Sequence, residues 1–380
     1  MDAKKRTSLL RNTSVQTLLA SLLCIVLGLL VGYIALLIIN PIGAWDAITV
    51  VVKNFFKYSS PNAQLKYLGN TLVKTAPLIM CSLSVLFAYK VGLFNIGVAG
   101  QYVAGACAAL YFGLALRMPW WVCMIAAMLS GALLGALSGA LKTYRNVNVV
   151  ISGIMLNWIA LYVTNMILGM DGLKNPMSPY TMQLRGVNPG ALIPQMGLNT
   201  LFGNEKSVTI AIPMAVIMAL IVWFLLNKTK FGYELKATGY NYHAARYCGM
   251  KENRNIIVTM MLSGALAGMG AALLYLTGIE EWETTISSVP AMGFNGIAVA
   301  FLGGLSPIGS ILAAYFIQHI TMGGGNVDLS VYCAQISSLI SSLIIFLCAF
   351  VAFFKLAIQN HLRRREEACA ANAVKGGEDA

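Results

Sequence analysis

Long apolar runs limit most strongly what this chain can fold into. Leu18–Ile39 is almost entirely apolar, and stretches of similar character recur along the sequence. A helix needs about 20 apolar residues to cross the hydrocarbon core of a bilayer. Hydrophobic residues make up 58% of the chain and charged residues only 11%, whereas about a quarter of the residues in a soluble domain are charged. The pattern predicts an all-α integral membrane protein.

The apolar stretches predict about ten transmembrane helices. Two of them are short and are joined by Ser306-Pro307, so they could be two short spans or one broken element. The predicted spans are Leu18–Ile39, Leu68–Ala88, Phe94–Leu116, Trp120–Leu141, Val149–Leu168, Val208–Leu226, Ile256–Leu276, Met292–Leu305, Ile308–Met322 and Val331–Leu356. No small-residue cleavage pattern follows the first run, which is therefore expected to remain as a span.

The basic residues predict the orientation of these spans. With the N-terminus inside, most of the 26 Lys and Arg residues fall on the inner side, as the positive-inside rule requires. The prediction is a multi-pass protein of the cell membrane with both termini in the cytoplasm. Its parts are a cytoplasmic segment 1–14, a transmembrane domain 15–358 and a basic, disordered tail 359–380. Outer loops cover 40–67 and 171–207, and a cytoplasmic segment covers 227–255.

The net charge of +12 is explained by this orientation. No aromatic-basic stripe accompanies the charge, so membrane lipid is an expected partner and nucleic acid is not.

The sequence contains no P-loop, HExxH or GxSxG motif and no CxxC pair, which predicts no catalytic site, metal or cofactor. The acids lie mostly in loops or tails, although ion-driven carriers usually need acids inside the membrane. A solute pathway without its own energy source is therefore predicted.

Small residues recur at intervals of four in two spans. Gly131, Gly135 and Gly139 share one helix face, and Gly264, Gly268 and Ala272 share another, which predicts close helix packing. A second pattern is the similarity between two short segments, Gly92-Leu93-Phe94-Asn95-Ile96-Gly97 and Gly293-Phe294-Asn295-Gly296-Ile297. Corresponding interrupted segments indicate pseudo-repeated halves around a central pathway.

The segment 227–255 is too polar to span a membrane and is rich in small residues. It predicts a short helix over Tyr242–Tyr247, with Asn241 as its N-cap and Gly249 near its C-terminal stop. Two interpretations are open at this point. The segment is either a solvated loop or a docking element for a cytoplasmic motor subunit.

Four motifs carry a family resemblance. They are Gly239-x-Asn241-x-x-Ala244-Ala245-x-Tyr247-x-Gly249; Thr75-Ala76-Pro77 leading to Gly92-Leu93-Phe94-Asn95-Ile96-Gly97 and Gly100-Gln101; Ile154-Met155-Leu156-Asn157; and Gly293-Phe294-x-Gly296-Ile297 leading to Gly303-Gly304 and Pro307-x-Gly309. Over about residues 15–355 the chain resembles ABC importer permeases of the sugar, nucleoside and branched-chain amino acid superfamily. It is most similar to the longer permease subunit of nucleoside uptake systems.

Two positions depart from that family pattern. Ala99 and Val149 stand where the family commonly has glutamates. An ionisable group within the membrane usually has a function. The absence of both glutamates therefore suggests that the two positions act together. Our hypothesis is that Ala99 and Val149 lie close in space, with Cβ atoms within about 10 Å.

The resemblance implies a set of partners and a mechanism. A solute-binding lipoprotein delivers the solute outside, a second, shorter permease completes the pathway, and a cytoplasmic ATP-binding subunit uses the ATP. The implied solute is a nucleoside. A monosaccharide or branched-chain amino acid in the same superfamily is the alternative, followed by a stand-alone transporter or channel. A membrane enzyme would need a cluster of acids or histidines near one interface, which the sequence does not show.

The resemblance also assigns candidate residues to three roles. Coupling to the ATP-binding subunit is expected at Gly239, Asn241, Ala244, Ala245, Tyr247 and Gly249. The translocation pathway is expected at Phe94, Asn95, Gln101, Asn157, Phe294 and Asn295, with interhelical hydrogen bonding as the alternative for the polar ones. Docking of the binding protein is expected at Glu280, Glu281 and Glu283, with a solvated loop as the alternative.

Overall fold

The computed structural model describes residues 13–328, together with 331–332, 339–340, 342–343, 346–347, 350–351, 353–360 and 363. Within these residues the regular secondary structure is helical, and only two isolated β-bridges occur, one between Lys174 and Thr181 and the other between Tyr180 and Glu283. The predicted segment 1–14 and tail 359–380 lie almost entirely outside the described residues. About half of the predicted last span, Val331–Leu356, also lies outside them.

In chain order, the helices of the described residues are α1 (Thr13–Ile39), α2 (Ala44–Lys53), α3 (Pro61–Tyr89), α4 (Val98–Leu114), α5 (Trp120–Arg145), α6 (Val149–Leu168), α7 (Ala211–Lys228), α8 (Lys230–Tyr240), α9 (Tyr242–Tyr247), α10 (Glu252–Tyr275), α11 (Ala291–Leu302) and α12 (Pro307–Gly324). Short helical turns lie at Asn54–Lys57, Leu184–Val187, Pro189–Ala191 and Leu198–Leu201.

Six of the described helices are long and apolar enough to cross a membrane, namely α1, α3, α5, α6, α7 and α10. Two further apolar helices, α4 and α11, are shorter. The chain is therefore a multi-pass, all-helical membrane protein. The larger count of about ten spans and the repeat of two halves stay predictions.

The predicted outer loop 40–67 is mostly helical. α2 occupies its first half, and α3 begins at Pro61, well before the predicted start of the span at Leu68. Hydropathy misses the first turns of α3 because they are polar, yet Pro61 is favourable at the first position of a helix, where no N–H is needed. α2 buries Ala44, Ala47 and Val51 on one face, and this face packs against the end of α12.

Close contact between α5 and α10 organises the centre of the bundle. A Cβ atom on Gly131 would collide with the backbone of Gly264, and one on Gly268 would collide with the backbone of Ala127. The same face of α10 also approaches α4, where Gly105 meets Gly268. The small residues therefore allow backbone-to-backbone packing, which confirms the prediction from their spacing.

The two Phe-Asn segments differ in local structure. Residues 92–97 form a non-helical connection between α3 and α4, whereas Gly293–Ile297 lies inside α11. α11 and α12 are separate helices, and the turn between them brings Gly303 against Gly309. The two short elements joined by Ser306-Pro307 are therefore present as separate helices. The two Phe-Asn segments are similar in sequence but differ in backbone conformation.

Candidate functional site

The connection between α3 and α4 is an irregular backbone segment inside the helical bundle. Asn95 lies in it and is fully buried. Its side-chain amide donates hydrogen bonds to Oε1 of Gln101, at 2.9 Å, and to Oγ of Ser263, at 2.8 Å. Ser263 in turn donates to the backbone carbonyl of Ser84 at 2.8 Å. One amide thus ties the connection to α3, α4 and α10.

Asn157 caps the start of α4 from a neighbouring helix. The backbone N–H of Gly100 donates to Oδ1 of Asn157 at 2.7 Å, and the Asn157 amide donates to the carbonyl of Ile96 at 3.1 Å. The first N–H groups of a helix have no partner within it. Because Asn157 lies near the middle of α6, it satisfies this need within the bundle, where lipid could not. A Cβ atom at Gly100 would lie 2.7 Å from Asn157, so glycine is required there.

These hydrogen bonds show that three of the predicted pathway residues stabilise helix packing. Asn95, Gln101 and Asn157 are all buried and hold helices together, as the alternative of interhelical hydrogen bonding proposes. The other three are more accessible. Phe94 is half-buried with its ring centroid 6.3 Å from that of Phe301, Asn295 is half-buried, and Phe294 is 39% exposed on α11. A role in translocation stays a prediction for all six.

Replacing Asn157 with leucine is expected to destabilise the bundle. The change would remove the partners of the Gly100 N–H and the Ile96 carbonyl, and an orphaned buried polar group costs about 1–3 kcal/mol. Thermal unfolding of the detergent-solubilised protein should therefore occur at a lower temperature. Met155→Leu on the exposed face of the same helix is the control, and an equal effect of both changes would contradict the capping role.

Segment 227–255 contains two short helices with side-chain caps. The side chain of Thr229 accepts from Gly232 N at the start of α8, and that of Asn241 accepts from Ala244 N, at 3.0 Å, at the start of α9. Gly249 follows α9 with a φ of +76°, a conformation that glycine adopts without cost. The predicted helix Tyr242–Tyr247, its Asn241 cap and its glycine stop are confirmed. α8 was not predicted.

Segment 227–255 is fixed to α10 by side-chain contacts. Asn255 donates to Oγ1 of Thr238 at 3.0 Å, and the Tyr242 hydroxyl donates to Oδ1 of Asn253 at 2.8 Å. Arg246 also pairs with Glu252, with 3.6 Å between Nε and Oε1. Displacement of α8 and α9 would therefore pull on the start of α10.

The same segment also contacts the end of α3. A Cβ atom on Gly239 would lie 2.5 Å from the carbonyl oxygen of Lys90 and 2.8 Å from the carbonyl carbon of Val91. Gly239 therefore sits directly on the residues that lead into the connection containing Asn95. Burial, together with the nearby positive charge of Lys236, lowers the pKa of Lys90 below its ordinary value.

Three tyrosines project from this segment. Tyr240 is 94% exposed and Tyr247 is 93% exposed, and Tyr233 is also exposed. Exposed aromatic side chains are enriched at protein interfaces. Of the predicted coupling residues, Gly239, Asn241, Ala244, Tyr247 and Gly249 are exposed, and Ala245 is buried. Tyr233 and Tyr240 were not predicted as coupling residues. The regular seven-residue spacing of Tyr233, Tyr240 and Tyr247 is the sequence pattern that could have indicated them.

An ion pair lies at the opposite end of the bundle. Lys74 of α3 contacts Glu280, with 2.7 Å between Nζ and Oε1, and both side chains are partly exposed. Glu280 is therefore not a free surface acid. Glu281 and Glu283 flank Trp282, whose indole N–H donates to Oδ1 of Asn165 at 2.9 Å. The sequence placed Lys74 within a span but did not identify its partner.

The two positions that depart from the family pattern occupy different contacts. Ala99 lies in the first turn of α4 and packs against Gly293 of α11. Val149 is buried at the first residue of α6. Their mutual separation stays a prediction.

Known proteins resemble this chain over most of its length. Residues 67–350 match a family described as the permease component of the branched-chain amino acid transport system. The guanosine ABC transporter permease protein NupP of Bacillus subtilis is 32% identical over 82% of this chain and 87% of its own length. The nucleoside ABC transporter permease protein NupB of Lactococcus lactis is 30% identical over 96% of this chain and 98% of its own.

A sugar transporter is among the relatives as well. The glucose ABC transporter permease protein TsgB13 of Haloferax volcanii is 27% identical over 76% of this chain and 77% of its own length. No solved structure matches the chain significantly. The family model, NupP and NupB each cover most of the chain, and a permease is consistent with its apolar helices. The chain therefore belongs to the family of branched-chain amino acid transport system permease components, which are transport subunits of the membrane.

Proposed function

We propose that this chain is a permease subunit of an ATP-binding-cassette importer and that its solute is a nucleoside. Two relatives that match it over most of its length are named for guanosine and nucleoside transport. The observation that carries the coupling part of the proposal is the inner segment 227–255. It exposes Tyr240 and Tyr247 and is anchored both to α10 and to the end of α3.

The mechanism follows from these two anchors. A cytoplasmic ATP-binding subunit would dock on the exposed tyrosines and move α8 and α9 as it binds and releases nucleotide. Through the Thr238–Asn255 contact the motion reaches α10, and through Gly239 it reaches Lys90 and the connection at Asn95. Nucleotide drives transport because it binds the alternate states with different affinity. The chain itself needs no cofactor, since ATP is used by the partner.

The remaining partners complete the assembly. A second, different permease subunit encloses the pathway with this one, and a solute-binding lipoprotein docks on the outer face. Glu281 and Glu283 are the docking acids in this proposal, because Glu280 is engaged by Lys74. Both termini lie in the cytoplasm. Phe94, Phe294 and Asn295 line the pathway, and Asn95, Gln101 and Asn157 hold its wall.

A sugar is the second candidate solute, favoured by the glucose permease among the relatives. Competition in the reconstituted complex separates the two candidates. Uptake of labelled guanosine should be suppressed by unlabelled adenosine or cytidine and unaffected by glucose or leucine at the same concentration. Suppression by glucose alone would replace the nucleoside assignment with a sugar.

A further inference from the structure

The outer end of the bundle contains a cavity beside the Lys74–Glu280 ion pair. Its volume is about 470 Å³, and its lining includes Tyr180, Tyr275, Glu280, Glu281 and Trp282. A second cavity, of about 200 Å³, shares Tyr275, Glu280 and Glu281 with the first. The two glutamates therefore stand between adjoining cavities. The larger one falls within the size range of small-molecule sites.

The presence of the Lys74–Glu280 ion pair at this cavity is not explained by its contribution to stability. An ionisable side chain within an apolar helix is costly and usually marks a functional position. A partly exposed ion pair contributes little to stability, about 0–1 kcal/mol. Lys74 holds one carboxylate oxygen of Glu280 at 2.7 Å. A carboxylate accepts several hydrogen bonds, so Glu280 keeps acceptor capacity for a ligand while its orientation is fixed.

Aromatic rings extend from the cavity into the bundle. The Trp282 ring centroid lies 6.0 Å from that of Tyr275, which lies 6.4 Å from that of Tyr102 in α4. The Tyr102 hydroxyl is buried, and among the described residues no hydrogen bond of good geometry reaches it. Tyr180, 41% exposed, forms part of the outer wall. The cavity thus combines flat apolar surfaces with carboxylate acceptors.

This combination selects a ligand class. Carboxylates accept hydrogen bonds from neighbouring hydroxyl groups, and aromatic faces stack on a planar ring. A neutral molecule that carries both a vicinal diol and a flat heterocycle satisfies both. We infer that this cavity is the first solute-binding site on the permease, with Glu280 accepting from the ribose hydroxyls of a nucleoside and Lys74 positioning Glu280. The inference rests on the proposed function and adds to it the place where solute enters.

The test measures nucleoside uptake by the complete reconstituted importer with its binding protein. Glu280→Gln and Lys74→Met should raise the KM for guanosine about tenfold, because a positioned charged acceptor is lost, and should leave the maximal rate within about twofold. Lys74→Arg should retain most of the affinity because it keeps the charge next to Glu280. Wild type should discriminate against 2′,3′-dideoxyguanosine, and Glu280→Gln should lose part of that discrimination.

A matched ion pair on the same helix provides the control. Lys66 pairs with Glu205 at 3.2 Å, so Lys66→Met removes a similar charge contact away from the cavity and should leave KM unchanged. An unchanged KM and dideoxy discrimination in Glu280→Gln, or a fall in maximal rate alone, would overturn the inference. Glu280 lies outside the helices, and glutamine is nearly isosteric with glutamate, so the Glu280→Gln variant is expected to fold. Its KM and dideoxy discrimination therefore test the inference even if Lys74→Met does not fold. Failure of the wild type to transport guanosine would instead refute the proposed function.

Discussion

Replacing Gly264 with valine is expected to prevent formation of a stable bundle. Gly264 packs directly on the backbone of Gly131, so even a Cβ atom would overlap backbone atoms of α5. Overpacking a core costs about 1–3 kcal/mol when side chains can adjust, and here the obstructing atoms belong to a helix backbone that cannot. We expect a loss above about 3 kcal/mol, seen as loss of the monodisperse peak when the solubilised protein is analysed by size-exclusion chromatography.

The control for this prediction lies one turn away on the same helix. Met261 of α10 is 37% exposed, and Met261→Val adds the same β-branched side chain without a backbone collision. It should give a normal peak. If Gly264→Val also gave a normal peak with wild-type thermal stability, close packing of α5 on α10 would not be the basis of the fold.

Replacing Tyr247 with alanine is expected to disconnect the chain from its ATP-binding subunit while leaving it folded. Tyr247 is 93% exposed at the end of α9, so its removal disturbs little within the chain. Loss of a central aromatic side chain from an interface costs about 2 kcal/mol, which is about a 30-fold weaker association. Co-purification of the ATP-binding subunit and ATP-driven uptake should both fall sharply, with unchanged thermal stability of the permease.

Tyr247→Phe is the matched variant for this prediction. It keeps the ring and removes only the hydroxyl, so association should stay within a fewfold of wild type. Normal co-purification and uptake in Tyr247→Ala would show that the exposed tyrosines are not the contact surface. Coupling would then have to enter through another part of the chain.

The sequence alone predicts the features that depend on local pattern. Hydropathy locates the spans because lipid requires apolar residues along a whole helix, and α6 has the predicted bounds of Val149–Leu168. Capping chemistry locates α9, since Asn241 and Gly249 act on the backbone next to them. Regular glycine spacing predicts close helix packing at Gly131 and at Gly264, and the structure shows that these two faces pack on each other.

The sequence does not predict features that depend on distant partners. Asn157 caps α4 across a gap of 57 residues, and its polarity alone could equally suit a pathway. Lys74 and Glu280 are also far apart in sequence, so their pairing depends on how α3 packs beside the end of α10. The sequence predicts a loop over 40–67 because amphipathic α2 is too short to resemble a span.

We propose that this chain provides a solute pathway and that a partner drives transport through it. The most direct measurement is accumulation of labelled guanosine in proteoliposomes containing this chain and its partner permease, with binding protein outside and ATP inside, with or without the ATP-binding subunit. We predict accumulation above the external concentration only when that subunit is present and ATP is hydrolysed. Equal accumulation without it would show that the chain carries its own energy coupling and would contradict the account.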